Sequence, residues 1–599
     1  MATLNDVHQQ FAEYFKEPAL KPYLYLLSQK MSEGHICIDE TDLNAGILPE
    51  SYPDKNLSLE KIAQHPLVTT KTEYKPFVLN GERFYMQRYF VYETQVLSKI
   101  KELAASSAMQ YEQRMQQLLG LKQLVQQLFT DNKTAQTDWQ LVAVLVALLQ
   151  DFTIITGGPG TGKTTTVAKI LTLMFTMHPS LKVAMVAPTG KAAARMSESL
   201  MKTQATASDD IKSNFARLKS STIHRLLGWQ QGTPYFRHNA ENHLPYDLII
   251  VDESSMIDVA LFAKLLQAIG KGTRVILLGD KDQLASVEAG SLFGDLCNAV
   301  NPLNHFSESW RSFINQFITD DDRKIPKERM GGNIEHPLFR HIIELQHSYR
   351  FDGNKGIGKI ARAVIQNDEK ILERFLEERK DEQVLIDQLY KEQVFLKFIE
   401  GYKAIITEKS LFDEDGIIAA LNNLGNLRIL CALNEGDQGV YQMNARVEAY
   451  LAREKGIQPN DIFYEHRPIM ITKNNYTLGL YNGDVGILRK DKNNVMKAWF
   501  LQSGENGTVS LKSVLPGFIM HMETVYAMTI HKSQGSEFNN VLVVLPKQQS
   551  GHILTRELVY TAITRAKEKV VIQADKEVLL AAAKAQVKRG SGIIERLQE

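Results

Sequence analysis

The sequence predicts an α/β protein with two parallel-sheet units, a small β-barrel inserted in the second, and a separate amino-terminal module. Three observations carry this expectation. Short apolar runs alternate with helical segments from Asp151 onward and again from Leu427, the pattern of a parallel sheet with crossover helices. Residues 462–523 interrupt the second set with short β-like runs split by Gly and Asn, which reads as a small barrel. The length of 599 residues leaves room for about four domains.

Composition bounds the class. Hydrophobic residues make up 44% and charged residues 23%, the mix of a folded soluble chain rather than a disordered one. The 69 basic and 69 acidic side chains cancel, which argues against coating nucleic acid by bulk charge but not against a local groove. Cys37, Cys297 and Cys431 lie far apart with no CxxC pair, so neither structural zinc nor a disulfide framework is expected. No secretory leader is visible at the start, and the most apolar run, residues 141–149, is too short to span a bilayer. The expected setting is a reducing cytoplasm, without a membrane partner.

Along the chain, the first hundred or so residues read as a small domain. Residues 77–79 and 83–92 flank Asn80-Gly81, a hairpin signal of the type I′ kind. The aromatic run at residues 84–92 reads first as core and second as a partner surface. Residues 102–129 turn helical, rich in Gln, Leu and Met. Four buried-strand runs follow: 152–156, Val183–Ala187, Leu248–Val251 and 275–278. They end at Gly157-Gly158, Pro188-Thr189, Asp252-Glu253 and Gly279-Asp280. Ligands of parallel sheets gather at such carboxyl ends, so one shared site is expected. Leu427–Cys431, 541–545 and 570–573 read as strands of the second sheet. In the barrel, Asn482-Gly483-Asp484 and residues 504–507 read as turns.

Gly157-Gly158-Pro159-Gly160-Thr161-Gly162-Lys163-Thr164 fits GxxxxGK[ST] between a strand and a helical run opening at Thr165. The glycines let backbone N–H groups turn toward phosphate at a helix N-terminus. Lys163 is then placed for the β- and γ-phosphates of ATP, and Thr164 for Mg²⁺. Asp252, at the end of a buried strand, suits the metal. Glu253 beside it suits a general base for water. Arg350 and Arg565, from the second unit, are candidates to stabilise phosphoryl charge.

Other features leave alternatives open. His531-Lys532-Ser533 is a polar stretch suited to phosphate oxygens, or part of a turn in which Thr529 and His531 satisfy each other. His224 reads as a helix residue or a DNA ligand. Tyr235 and Phe236, within residues 229–245, read as a surface loop or a strand-splitting pin. The acidic runs Asp320-Asp321-Asp322 and residues 413–415 read as solvated loops, and no nuclease cluster is found.

Taken in order, the motifs resemble the helicase set of superfamily 1. Trp139-Gln140 with Ala143 matches the Q motif, and Ala187 to Ala193 with Ser221 to Leu226 match motifs Ia and Ib. Val251 to Met256 matches motif II, and Leu278 to Leu284 matches motif III. Gln346 to Phe351 matches motif IV, Thr529 to Glu537 motif V, and Val559 to Ala566 motif VI. Gly157 to Thr166, Thr222 to Leu227 and Asn482 to Gly486 narrow this, as do Gly34 to Cys37 and Phe84 to Phe90 with Glu93. They are similar to the RecD family, the α subunits of exodeoxyribonuclease V (RecBCD).

The resemblance implies two RecA-like domains with ATP and Mg²⁺ between them. The implied organisation is an amino-terminal partner-binding domain at 1–115 and a first motor domain at 116–345, with an insertion near 229–245. A second motor domain covers 346–461 and 524–599, with an SH3-like barrel at 462–523. Gln140 is implied to read adenine and Tyr349 to stack on it. Pro159, Thr165 and Gly535 are implied to line the nucleotide, Glu537 to hold the ribose, and Gln283 to couple phosphate to DNA. Pro188, Thr189, His224, Thr529, His531 and Lys532 are implied to line single-stranded DNA. The implied activity is an ATP-dependent 5′-to-3′ DNA helicase acting at DNA ends in double-strand break repair and recombination. Its implied place is the bacterial cytoplasm, at the nucleoid, beside RecB-like and RecC-like subunits that carry the nuclease. A stand-alone helicase of the superfamily and an ATP-binding regulatory subunit are the alternatives. Charge is also uneven: residues 1–100 hold 10 basic and 13 acidic side chains, residues 501–599 hold 12 and 9. That direction suits an amino end that docks a partner and a carboxyl end that touches DNA.

Overall fold

A computed structural model describes residues 6–49, 52, 57–70, 73–105, 108–130, 136–202, 209–230, 232–286, 288–377, 381–406, 414–475, 477–503, 509–548 and 553–598. The first sheet has six parallel strands, in the order Ile342–Leu345, Phe152–Gly157, Arg274–Gly279, Leu248–Val251, Val183–Ala187 and Ser220–Thr222. The four runs read from the sequence form its centre. The two edge strands were not foreseen: Ser220–Thr222 is three polar residues, and Ile342–Leu345 lies far downstream of its neighbour Phe152–Gly157. Helix Trp139–Leu149 is buried along its whole length, which explains why its sequence shows no polar face.

The second sheet is also parallel, in the order Val384–Asp387, Ala566–Gln573, Phe538–Val544, Leu427–Cys431 and Ala527–Thr529. The texture change at 462–523 corresponds to a five-stranded antiparallel sheet: Val509–Val514, Met496–Ser503, Val485–Lys490, Pro468–Ile471 and Met522–Thr524. It has its own apolar cluster, including Ile469, Leu488 and Phe500. The turn read at residues 504–507 lies outside the described residues. Tyr481, at the tip before Asn482-Gly483, reaches the first unit: the Arg225 guanidinium lies over its ring and donates to its hydroxyl.

The amino-terminal module corrects three expectations. Its sheet runs Cys37–Ile38, Arg83–Met86, Phe77–Asn80, Val68–Thr69. Asn80 pairs with Arg83, so Gly81 and Glu82 occupy the turn, and of these only Gly81 has positive φ, +55°. That is the type II′ pattern rather than I′. The second hairpin strand stops at Met86, not Tyr92, and helix Gln87–Ala104 begins. Tyr89, Glu93, Val96, Leu97 and Ile100 recur at helical spacing and are all buried; the local alternation of aromatics hid that period. The helical stretch 102–129 is likewise broken, into the end of Gln87–Ala104, Ala108–Gly120 and Lys122–Leu128.

Leu97 and Ile100 join the same apolar cluster as Phe262 and Leu266 of helix Val259–Gln267. This face of the amino-terminal segment is therefore part of the first unit's core. The carboxyl end does something similar. Helix Ile593–Gln598, assigned from the sequence to the second unit, packs instead on Leu292–Ala299 of the first. There Arg596 donates to the fully buried Glu93 carboxylate at 2.6 Å, and the Gly592 N–H at 2.9 Å. Such a buried charge persists only with partners of this quality.

The acidic runs find local uses. The Asp320 carboxylate accepts from the Asp322 N–H, and exposed Asp321 pairs with Lys324 at 2.6 Å. Glu414 and Asp415 open helix Glu414–Asn426, where negative charge is favourable; residue 413 lies outside the described residues. No helix among the described residues is long and apolar enough to cross a membrane.

Candidate nucleotide site between the two sheets

Strand Phe152–Gly157 delivers the chain to the glycine loop, and helix Lys163–Met177 leaves it. Gly160 and Gly162 have φ of +79° and +83°, the left-handed region that glycine adopts without steric cost. Space demands glycine as well. A Cβ on Gly160 would lie 2.3 Å from the Arg350 Cβ, and one on Gly162 2.1 Å from the Gln140 Nε2. The Lys163 ammonium donates to the carbonyls of Gly157 (2.5 Å) and Gly158 (3.3 Å). It thus sits inside the cradle that its own loop makes.

A cavity of about 840 Å³ opens over this loop. From the first unit it is lined by Gln140, Pro159, Gly160, Thr161, Gly162, Lys163, Thr164, Thr165, Asp252, Glu253 and Gln283. From beyond that sheet come Tyr349, Arg350, Gly535, Glu537 and Arg565. Every residue expected at the nucleotide is therefore gathered there except Gly157 and Gly158, which lie behind it as acceptors for Lys163.

Asp252 ends the strand Leu248–Val251. Burial, and then the charge of Glu253, push its carboxyl above the usual range. A divalent cation would reverse that by supplying the missing positive charge. Glu253 holds a left-handed backbone, φ +51° and ψ +41°, strained for a residue with a side chain. The Thr164 hydroxyl, Asp252 and the glycine cradle together fit Mg²⁺ and a polyphosphate. Asp280, at the end of the next strand, is also raised, by burial and then by Asp282; the Tyr560 hydroxyl donates to it at 3.0 Å.

Several side chains are engaged differently from their implied roles. The Gln140 amide donates to the Thr161 carbonyl at 3.0 Å, bracing the loop. Tyr349, half exposed, is anchored by its N–H to the Gly160 carbonyl at 2.8 Å. Glu537, implied for ribose, holds cations instead: Arg350 at 2.5 Å, Arg195 at 3.2 Å and Lys567 at 3.3 Å. Burial alone would raise its carboxyl, but Arg195 and Arg350, then Lys567, hold it down to about 2. Arg565 is buried and donates to the carbonyls of Thr561 and Ser536, both at 3.2 Å. Its remaining guanidinium nitrogen, the Gln283 side-chain amide oxygen and one Arg350 side-chain nitrogen are buried without a hydrogen-bond partner among the described residues. Such polar atoms at the edge of a cavity suit an incoming ligand.

The residues implied for DNA lie outside the cavity. Thr189 follows Pro188 and accepts from the Ala192 N–H at 3.2 Å, starting helix Gly190–Lys202. Exposed His224 packs edge-on against Phe236, ring centroids 5.7 Å apart, so Phe236 does not project as a pin; Tyr235 is 76% exposed. The Thr529 hydroxyl accepts from the Lys532 N–H at 3.3 Å, not from His531. The Lys532 ammonium is held by Glu523 at 2.6 Å. Burial, with Arg589 nearby, pushes the His531 imidazole below its usual value. Sequence reading missed Arg195 and Lys567 in the cavity. Lys567 stands two residues after Arg565, and Arg195 one helical turn after Lys191, which were the available signals.

Comparison with known proteins identifies the family. Residues 140–289 match the model of an AAA domain, and residues 524–573 that of the UvrD-like helicase C-terminal domain. The RecBCD enzyme subunit RecD of Mycobacterium tuberculosis is 33% identical over 94% of this chain and 89% of its own length. The same subunit from Haemophilus influenzae is 35% identical over 78% of this chain and 73% of its own. Among solved structures, a Bacteroides Pif1 helicase in complex with ADP-AlF3 and single-stranded DNA is 16% identical with a TM-score of 0.35. It covers 77% of this chain and 96% of that one, an overlap too loose to add to the assignment. On the RecD relatives, this chain belongs to the family of RecD subunits of RecBCD enzymes.

Proposed function

We propose that this chain is the ATP-dependent helicase subunit of a RecBCD-type complex, translocating 5′ to 3′ on single-stranded DNA. The observation that carries this reading is the shared cavity. Lys163, Asp252, Glu253 and Gln283 line it from the first sheet, Glu537 and Arg565 from the second, and Arg350 from the segment that joins them. A site completed only by two units turns nucleotide turnover into relative motion of those units.

In this reading the glycine loop and Lys163 orient the phosphates, while Thr164 and Asp252 hold Mg²⁺. Mg²⁺ held by these two residues would supply charge neutralisation to the phosphates. Glu253 accepts the proton of the attacking water, and Arg565 and Arg350 stabilise charge on the transferred group. Gln283 links this centre to the DNA side. Thr189, His224, Thr529, His531 and Lys532 form the strand track by sequence-independent contacts. The partners are RecB-like and RecC-like subunits, with the nuclease centre on a partner, and the setting is the bacterial cytoplasm.

ATP hydrolysis by the full-length chain, with and without single-stranded DNA, tests the motor reading. Strong stimulation is expected, with unwinding from a 5′ overhang only. Absence of stimulation, alone and with partners, overturns it, and equal unwinding from a 3′ overhang overturns the polarity. Co-purification with RecB-like and RecC-like chains separates the complex from a stand-alone helicase.

A further inference from the structure

Helix Gly190–Lys202 starts at one implied DNA contact and ends its reach in the nucleotide cavity. Thr189 precedes its first residue, and Arg195, six residues on, lines the cavity. At 1.5 Å per residue the two positions are about 9 Å apart along one rigid element. Lys191 and Arg195 are separated by four residues and therefore share a face. That face docks on three consecutive residues before the second unit's strand Phe538–Val544. Lys191 donates to the Ser536 hydroxyl at 2.7 Å, and Arg195 to the Gly535 carbonyl at 2.7 Å. Arg195 also meets one oxygen of Glu537 at 3.2 Å, while Arg350 takes the other at 2.5 Å. Gly535 has φ of +68°, and a Cβ there would touch Ala192 on the same helix face.

We propose that Arg195 is a positioning residue of the ATPase site: it holds Glu537, and through it Arg350, in a place set by the DNA-contacting start of its own helix. This rests on the motor reading above. One carboxylate joins a cation of the first unit to a cation of the second. A shift of the helix at Thr189 therefore changes how Glu537 divides its two oxygens, one shared by Arg195 and Lys567 and the other held by Arg350. Arg350, with a buried side-chain nitrogen unpartnered among the described residues, is the group whose aim this division controls. Lys191 fixes the pivot on Ser536. Neither Lys191 nor Arg195 needs to touch the reacting atoms for this.

The test compares the wild-type full-length chain with Arg195→Ala and Arg195→Lys, measuring kcat and KM for ATP as single-stranded oligo-dT is titrated. Arg195→Ala should lower the DNA-stimulated kcat by about tenfold, the scale of a typical coupling between sites, with KM for ATP moved less than about threefold. Arg195→Lys should recover a substantial part, because an ammonium still reaches Glu537 but not the Gly535 carbonyl as well. Unchanged stimulation in Arg195→Ala overturns the proposal. So does a joint loss of kcat, ATP affinity and thermal stability that Arg195→Lys does not rescue, which marks a merely structural pair. A wild-type chain that DNA fails to stimulate overturns the motor reading itself, and the proposal with it.

Discussion

The two parallel sheets face the same cavity with opposite edges. The first presents the carboxyl ends of its strands: the glycine loop follows Phe152–Gly157, Asp252 follows Leu248–Val251, and Gln283 lies beyond Arg274–Gly279. The second presents residues just before its strands begin: Glu537 precedes Phe538–Val544, and Arg565 precedes Ala566–Gln573. At the second sheet's other edge, the Asp387 carboxylate is saturated by the N–H groups of Leu389 and Lys391 and by Gln573. One architecture therefore serves two tasks. Carboxyl ends, with a helix N-terminus beside them, bind an anion. The opposite edge supplies side chains that close the cavity.

If that division holds, the second unit controls turnover more than binding. Arg565→Ala should lower kcat by about 10³-fold or more, the range for an arginine acting from a second domain, while nucleotide affinity, measured by equilibrium titration, stays within a few-fold. Lys163→Gln on the first unit should cost about 10²–10³-fold in hydrolysis and weaken nucleotide binding as well, with the melting temperature unchanged. Equal effects of the two on affinity would erase the distinction.

The next effect concerns stability rather than chemistry. Arg596→Ala strands the buried Glu93 carboxylate where the carboxyl end crosses to the first unit, and should lower unfolding free energy by about 3–5 kcal/mol in denaturant titrations. A smaller change separates the units electrostatically. The Glu537 carboxyl is held at about 2 against an ordinary 4.5. Because the folded value is depressed, its contribution is complete above pH 4.5 and is lost as pH falls toward 2. Glu537→Gln should therefore flatten the acid limb of stability in that window and leave its slope near neutrality untouched. The smallest effect belongs to the strand track: Lys532→Ala should reduce the salt dependence of single-stranded DNA binding by about 0.7 in log–log slope. An unchanged slope would leave Lys532 to Glu523 alone.

Legibility in the sequence followed how local the signal is. The glycine loop, the acidic pair and the four central strands were readable because each is a short motif in its own strand–turn–helix context. Helix Gln87–Ala104 was hidden by aromatics that alternate over one turn. Strand Ser220–Thr222 carries no apolar residue to betray it. Arg195 looks like an ordinary surface cation until the second unit brings Glu537 to it, and Lys567 does so until its own sheet sets strand Ala566–Gln573 beside Phe538–Val544.

The sequence by itself determined the glycine loop and the acidic pair of the candidate nucleotide site, because GxxxxGK[ST] and a strand-end Asp-Glu specify their geometry within a few residues. Only the tertiary structure decided that Arg195 joins Arg350 and Arg565 at the cavity, that the carboxyl-terminal helix closes on the first unit, and that one helix joins Thr189 to the cavity. Those depend on groups hundreds of residues apart meeting in space, and no local period or motif encodes such a meeting.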